Sequence, residues 1–370
     1  MVTYVPEINA IFTQMEVPLS VAETPDKGKH IVANIDLAEG TELFEEIPLV
    51  SWPMDTLVDS GVEQCWWCLK VLPSTSSEGK TSSPSRRRWC SGDCAAKGKS
   101  LSDILDDAVE KSLIAFHSEE RARLDDTSLP ISVVSVARCI GTIATRIISV
   151  IERQQLTLDI LADPAVMHQV FGAATKPFNR LVEPPLNSEF KDINIDSWVD
   201  ILQKELRQTL TRALLRPLIQ KSAVNDSAAE TSEPSSSAPP KTQVAKELVE
   251  ALVSKATINT LVGQLTINSQ ALNTVVPQLP GKRLTACIIC MGAAVFTLQS
   301  NFNHSCDPNA MVSASPERNH EIVVVAKRPI TKGEEVTISY IVADNKSKDE
   351  RQEELQAYFF TCQCSVCGRK

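Results

Sequence analysis

Apolar and polar residues alternate along His30 to Leu37 and again along Glu42 to Val50, which predicts two strands joined by a turn at Ala38-Glu39-Gly40. A second pair of β-branched runs, Glu321 to Ala326 and Glu335 to Tyr340, lies near the other end of the chain. These flank Thr331-Lys332-Gly333, where glycine supplies the positive φ of a tight turn. Leu37 to Leu43 and Ile330 to Val336 share a register, a single match that does not by itself establish an internal repeat. In the middle of the chain the period changes. Ile131 to Ile151 and the series Trp198, Ile201, Leu202, Leu206, Leu210 and Leu214 follow three- and four-residue spacing, predicting helices, and the pattern resumes at Lys246 to Val253. Ser222 to Gln243, rich in Ser, Ala, Pro and Glu, lacks the apolar residues that offset ordering and is expected to be a disordered loop.

With 370 residues, 43% of them apolar, the chain can hide roughly 75% of its unfolded surface and build a real core. Arg138 and Arg146 interrupt the longest apolar run, so no membrane span is expected. The start of the chain has no cationic segment followed by an apolar one, and the expected location is the nucleus and/or the cytoplasm. A net charge of −9 argues against a surface that grips nucleic acid and weakly favours a basic partner, although solubility alone accounts for it. No membrane and no sequence-specific nucleic acid are expected as partners, and a monomer is expected.

Eleven cysteines in such a compartment, most of them closely grouped, read as metal ligands rather than disulfides. Cys65 and Cys68, with Cys90 and Cys94, form two spaced pairs suited to one tetrahedral Zn²⁺. Cys362, Cys364 and Cys367 supply three further thiolates, one fewer than a closed structural site requires. Cys287 and Cys290, in an apolar stretch without a partner pair, read as buried helix cysteines, as does Cys139. Arg86-Arg87-Arg88 reads as a solvated charged loop.

Three segments in order carry a family resemblance: Asn303-His304-Ser305-Cys306-Asp307-Pro308-Asn309, then Gly333-Glu334-Glu335 leading to a strand that ends in Tyr340, then the cysteine-rich tail. This order resembles SET-domain protein methyltransferases. Trp89-Cys90-Ser91-Gly92-Asp93-Cys94 resembles the second knuckle of a MYND zinc finger, which narrows the likeness to SET proteins with a MYND-type insertion. The phrase from Phe296 to Cys306 is most similar to the branch of the fifth SET-and-MYND protein and its fungal SET relatives. The likeness covers roughly residues 27 to 94 and 292 to 367; the finger keeps only its first and third ligand pairs and so implies a single zinc.

The resemblance implies an α+β fold in which a SET β domain of short sheets is split by a zinc-finger insertion and a helical insertion, with a zinc-bound post-SET tail. The divisions are 1–64, 65–94 for the degenerate finger, 95–290 for the helical insertion with its loop at 222–243, 291–341 for the catalytic part and 342–370 for the tail. It implies Cys306 as the fourth ligand of the tail zinc, and Lys27, Gly28, Lys29, Asn303, His304 and Phe360 as contacts to S-adenosylmethionine. It also implies Tyr340 as the catalytic tyrosine and Tyr358 as a wall of the lysine channel. Gln264 or Asn268 stands where the family places an asparagine of the insertion near the cofactor. The implied activity is protein-lysine N-methylation with two structural zinc ions, the lysine-rich tail of the fourth core histone being the first guess at substrate and a non-histone protein the other. The alternative is a catalytically silent SET and zinc-finger scaffold that binds protein partners, against which the retained Tyr340, Asn303 and His304 speak.

Overall fold

The structure, a computed structural model, describes residues 4–25, 27–54, 63–72, 88–124, 131–184, 193–225, 241–276, 287–315 and 320–368. The N-terminal part runs through helix α1 (Val5–Gln14) and strands β1 (Leu19–Thr24), β2 (Gly28–Ala33), β3 (Glu42–Glu46) and β4 (Val50–Pro53). The central part is helical: α2 (Gly92–Ile104), α3 (Asp107–Leu124), α4 (Val133–Arg153), α5 (Leu158–Leu161), α6 (Pro164–Thr175), α7 (Ile195–Asn225), α8 (Lys241–Leu252) and α9 (Lys255–Asn268). The C-terminal part returns to strands β5 (Ser269–Val276), β6 (Cys287–Val295), β7 (Asn303–His304), β8 (Ala310–Ser315), β9 (Glu321–Ala326) and β10 (Glu335–Ile338), and ends in α10 (Lys348–Leu355).

The strands form three small sheets, ordered β1-β2-β10-β7, β3-β9-β8 and β4-β6-β5, so each one joins N- and C-terminal parts of the chain. The two distant β units are related by reciprocal bonding. Leu37 and Ile330 exchange both backbone hydrogen bonds, at 2.8 and 2.9 Å. Around that pair, Gly40 N–H donates to Ala326 O and Gly333 N–H to Ala33 O, while Ala326 N–H donates to Thr41 O and Ala33 N–H to Glu334 O. Gly40 and Gly333 share positive φ values of 78° and 82°, the left-handed turn that glycine adopts without a Cβ clash. The register shared by Leu37–Leu43 and Ile330–Val336 is therefore a local twofold relation built into the backbone.

Helix α4 is the spine of the insertion. Ser132 caps it with a capping box to Ser135, and its residues Val133, Val136, Ala137, Ile140, Ala144 and Ile147 are fully buried. Among the described residues, α4 is the one helix long and apolar enough to cross a bilayer, yet it packs within the protein. Its Arg138, 2% exposed, donates to Ser51 O and Trp66 O and lies 4.4 Å from the Trp66 ring centroid. One guanidinium thus joins β4, the cysteine module and the insertion.

Several expectations change. The apolar stretch holding Cys287 and Cys290 is strand β6, not a helix, and β5 also lies inside the region read as helical. Short apolar runs do not distinguish the two states, and here β6 is the middle strand between β4 and β5. Gly292 within it sits so close to β4 that a Cβ would come 2.2 Å from Trp52 O. Cys290 is half-buried on β6, whereas Cys139 is a buried helix cysteine as expected. Of the loop expected over Ser222 to Gln243, residues 226–240 lie outside the described residues, while its flanks continue α7 to Asn225 and open α8 at Lys241. The early strands are shorter than the alternation suggests: β2 stops at Ala33, and the second run divides into β3 and β4 around Pro48, which has no N–H for a ladder.

Candidate active site

The segment from Phe302 to Asn309 is fixed against β10 by a parallel pairing, Thr337 opposite Asn303 and Ile338 opposite His304. Ser305 N–H donates to Ile338 O at 2.9 Å. Asn309, 2% exposed, locks the far end by donating to Glu335 O and Glu334 Oε1 and accepting Thr337 N–H. Because β10 also pairs with β2, this brings Asn303 beside the turn at Lys27 and Gly28. Asn303 Nδ2 donates to Lys27 O at 3.3 Å.

Tyr340 follows β10 by two residues. Its hydroxyl donates to Phe302 O at 2.5 Å, and burial raises its pKa well above the usual phenol value. The hydroxyl is a neutral donor to that carbonyl, and its oxygen lone pairs are what it offers a ligand. Around it stand Tyr358, with ring centroids 4.9 Å apart, His304 at 5.3 Å and Phe360 at 6.2 Å and nearly perpendicular. Phe360 is 37% exposed, leaving ring surface uncovered. The residue between Tyr358 and Phe360, Phe359, has φ 61°, so the chain reverses there and both neighbours turn toward Tyr340.

His304 uses both ring nitrogens. Nδ1 accepts Tyr340 N–H at 3.0 Å, which places the proton on Nε2, 3.3 Å from Cys306 Sγ. Burial, with the nearby Arg351 charge, pushes this imidazole down to about 4, so it is neutral.

Cys306, Cys362, Cys364 and Cys367 have their sulfurs mutually within 4.8 Å, and so do Cys65, Cys68, Cys90 and Cys94. Sulfur separations of 3.5 Å for Cys306 and Cys367 and 3.6 Å for Cys68 and Cys90 are near the ~3.8 Å that a tetrahedral ion with Zn–S of about 2.3 Å imposes. Donors also face the sulfurs of the tail group: Arg351 Nη2 lies 3.6 Å from Cys367 Sγ, in addition to His304. Both four-cysteine groups read from the sequence are thus assembled, each with a geometry that fits a metal ion.

The remaining expected contacts divide. Lys27 and Gly28 adjoin Asn303, and Gly28, at φ 64°, has nothing within 4 Å of where a Cβ would stand. Lys29 sits in β2 opposite Glu23, and its side chain makes no bond to Asn303, His304 or Tyr340. Asn268 is committed to the backbone of Val182, accepting its N–H at 3.1 Å and donating to its carbonyl at 2.8 Å, while Gln264 donates to Phe178 O. Arg88 of the basic run pairs with Glu63; positions 86 and 87 lie outside the described residues.

Two carboxylates had no role in the sequence reading. Glu46 accepts the N–H groups of Leu298 at 2.8 Å and Gln299 at 2.9 Å, just ahead of the Asn303 segment, and burial outweighs these bonds to raise its carboxyl to about 7. Glu335 contacts both Lys27 and Asn303. Its place in Gly-Glu-Glu was the available signal, but one-dimensional spacing does not bring position 27 to it. Arg351 carried no signal at all.

A family model described as SET domain matches residues 28–341. Among known proteins, the chain is 51% identical over 79 residues to the histone-lysine N-methyltransferase ATXR2 of Arabidopsis thaliana, a stretch covering 21% of this chain and 16% of that protein. It is 38% identical over 78 residues to the histone-lysine N-methyltransferase SET5 of Scheffersomyces stipitis, again 21% and 16%. It is 42% identical over 81 residues to the human protein-lysine N-trimethyltransferase SMYD5, covering 21% and 19%. The matched stretch is therefore less than a fifth of each relative's length. Among solved structures, the SET domain of LSMT bound to lysine and AdoHcy aligns with 94% of this chain and 55% of its own, at 12% identity and a TM-score of 0.30.

Proposed function

Because the chain belongs to the SET domain family, we propose that it is an S-adenosylmethionine-dependent protein-lysine N-methyltransferase. The observation that carries the reading is the Tyr340 hydroxyl, bonded to Phe302 O within a group formed by His304, Tyr358 and the partly uncovered Phe360. Aromatic faces suit a sulfonium on one side and a lysine stem with its charged head on the other.

The residues that hold the cofactor are Lys27, Gly28 and Asn303 at the methionine end and Phe360 against the adenine. The open space at Gly28 and the uncovered face of Phe360 support this placement. S-adenosylmethionine, when bound, supplies an electrophilic methyl on sulfur. Tyr340 and the Phe302 carbonyl orient the lysine amine through oxygen lone pairs, and Tyr358 flanks its stem. Neither tyrosine is ionised to act as a base, since burial raises both hydroxyls above the ordinary phenol value, itself far above neutrality. The amine must therefore arrive deprotonated, which an apolar channel favours by penalising the ammonium. Holding nucleophile and methyl in line is then the main contribution of the protein to the rate.

The two four-cysteine groups hold one structural zinc each. The tail site fixes Tyr358 and Phe360 through the chain that links them to Cys362, and the finger site fixes the module anchored by Arg138. The substrate is a protein with an accessible lysine; a histone tail is the first candidate, in keeping with the negative charge of the chain and the activities named for two relatives. The chain acts in the nucleus and/or the cytoplasm. Peptide and protein arrays incubated with methyl-labelled cofactor test the reading. Label on lysine ε-nitrogens supports it, and no incorporation across histone and non-histone arrays counts against it.

A further inference from the structure

The carbonyl that accepts the Tyr340 hydroxyl belongs to Phe302, the residue closing a short turn, and strand β3 grips that turn at both ends. Glu46 Oε1 accepts the N–H of Leu298 at 2.8 Å, and Glu46 Oε2 that of Gln299 at 2.9 Å. Within the turn, Asn301 N–H donates to Leu298 O at 3.1 Å and Phe302 N–H to Gln299 O at 3.2 Å. Three hydrogen bonds in series therefore join Glu46 to Tyr340 by way of Gln299 and Phe302. Phe44, two residues before Glu46 and so on the same face of the strand, stacks on the Phe302 ring with centroids 5.9 Å apart. Regular pairing of Phe44, Glu45 and Glu46 with β9 fixes both contacts.

Helices α2, α4 and α9 are each capped by the serine that precedes them, whereas this turn has no side-chain cap of its own. It takes a carboxylate from 252 positions away, although burying a charge costs far more than placing a hydroxyl there. What the carboxylate adds is two oxygens in one plane, which set the direction of two successive N–H groups. We infer that Glu46 is a positioning residue for methyl transfer, holding the turn so that the Phe302 carbonyl stays aligned with the Tyr340 hydroxyl. The inference rests on the reading that these two oxygens orient the lysine amine. Glutamine has the same shape but a single acceptor oxygen, and the other end of its amide opposes the second N–H.

Glu46→Gln, Tyr340→Phe and the double variant are compared with the wild type at pH 8, above the value of about 7 to which burial raises the Glu46 carboxyl. Single-turnover methyl transfer to the peptide most strongly labelled on the arrays is expected to slow about tenfold in Glu46→Gln, while S-adenosylhomocysteine affinity by calorimetry stays within about twofold. Because Glu46 acts through the contact that Tyr340→Phe removes, the double variant is expected to be no more than about twofold slower than Tyr340→Phe; a merely structural loss multiplies. Hydrogen exchange reads the same clamp without turnover. The amides of Leu298, Gln299 and Phe302 are expected to exchange about tenfold faster in Glu46→Gln, and those of Leu298 and Gln299 to be protected in the wild type like the β3–β9 ladder. A wild-type rate in Glu46→Gln, fully multiplying losses, a parallel fall in S-adenosylhomocysteine affinity, or free exchange of Leu298 and Gln299 in the wild type overturns the assignment. The last needs no variant and so decides the matter even where Glu46→Gln does not fold. A wild type that methylates no peptide is a different result, since it removes the proposed function and this role with it.

Discussion

His304 accepts the backbone N–H of Tyr340 at 3.0 Å through Nδ1, while its other ring nitrogen lies 3.3 Å from Cys306 Sγ. One neutral imidazole therefore links the end of the strand that carries the tyrosine to the thiol cluster of the tail. The same cluster includes Cys362, only two residues after Phe360. Cys306→Ser is expected to lose the tail metal and to lower cofactor affinity and activity together, because the aromatic residues lose their anchor. Metal content and calorimetry on the same sample check this; a variant that keeps its full metal complement and affinity contradicts it.

Elemental analysis of the purified chain is expected to give two zinc ions. Cys65→Ser is expected to remove one, leaving the tail ion in place, because the two groups of sulfurs are separate. A single zinc in the wild type, or loss of both ions from either variant, runs against the two-site reading.

Arg138→Met keeps much of the side chain's apolar volume but strands the carbonyls of Ser51 and Trp66, which the guanidinium now satisfies. Loss of a buried, multiply bonded cation is expected to cost about 3 kcal/mol in denaturant unfolding. A change below about 0.5 kcal/mol, the range of ordinary surface substitutions, shows that the module is held by other contacts.

Glu46 carries a pH dependence. Its folded pKa, about 7, lies above the usual carboxyl value because of burial. A raised folded pKa means that the native state binds the proton more tightly, so this contribution to stability is fully present below the unfolded pKa of 4.5 and is lost as pH rises through about 7. Relative to wild type, Glu46→Gln is expected to gain in melting temperature between pH 5 and pH 8 by roughly a few degrees. A constant difference across that range removes the titration from the account of this site.

What could be read from the sequence was whatever chemistry is written in short spacing. The cysteine pairs and triplet, Asn303-His304 and the run leading to Tyr340 all announce themselves within a few residues, and the fold assembles the cysteines into two groups of four. The shared register around Gly40 and Gly333 was visible too, but only the reciprocal Leu37 and Ile330 bonds give it meaning. Cys287 to Cys290 was misread because an apolar run fits a middle strand as well as a helix; the neighbours that decide it, β4 and β5, are not its sequence neighbours.

The contacts that short spacing does not show share one property: they come from pairing distant segments. Glu335 meets Lys27 only because β10 pairs with β2, and Arg138 meets Ser51 and Trp66 only because the insertion folds back on β4. Gln264 and Asn268 illustrate the converse. The resemblance implied that one of these two amides contacts the cofactor, yet the fold bonds them to the backbone around Phe178 and Val182.

The most direct measurement of the central claim is the single-turnover rate of methyl transfer to the best lysine substrate found on the arrays, for wild type and Tyr340→Phe, with cofactor affinity measured in parallel. Removing one oriented oxygen contact worth about 3 kcal/mol in the transition state is expected to slow transfer roughly a hundredfold, while the fold and S-adenosylmethionine affinity stay unchanged. A Tyr340→Phe variant that transfers methyl groups at the wild-type rate contradicts the assignment of this site, as does a wild type that transfers none.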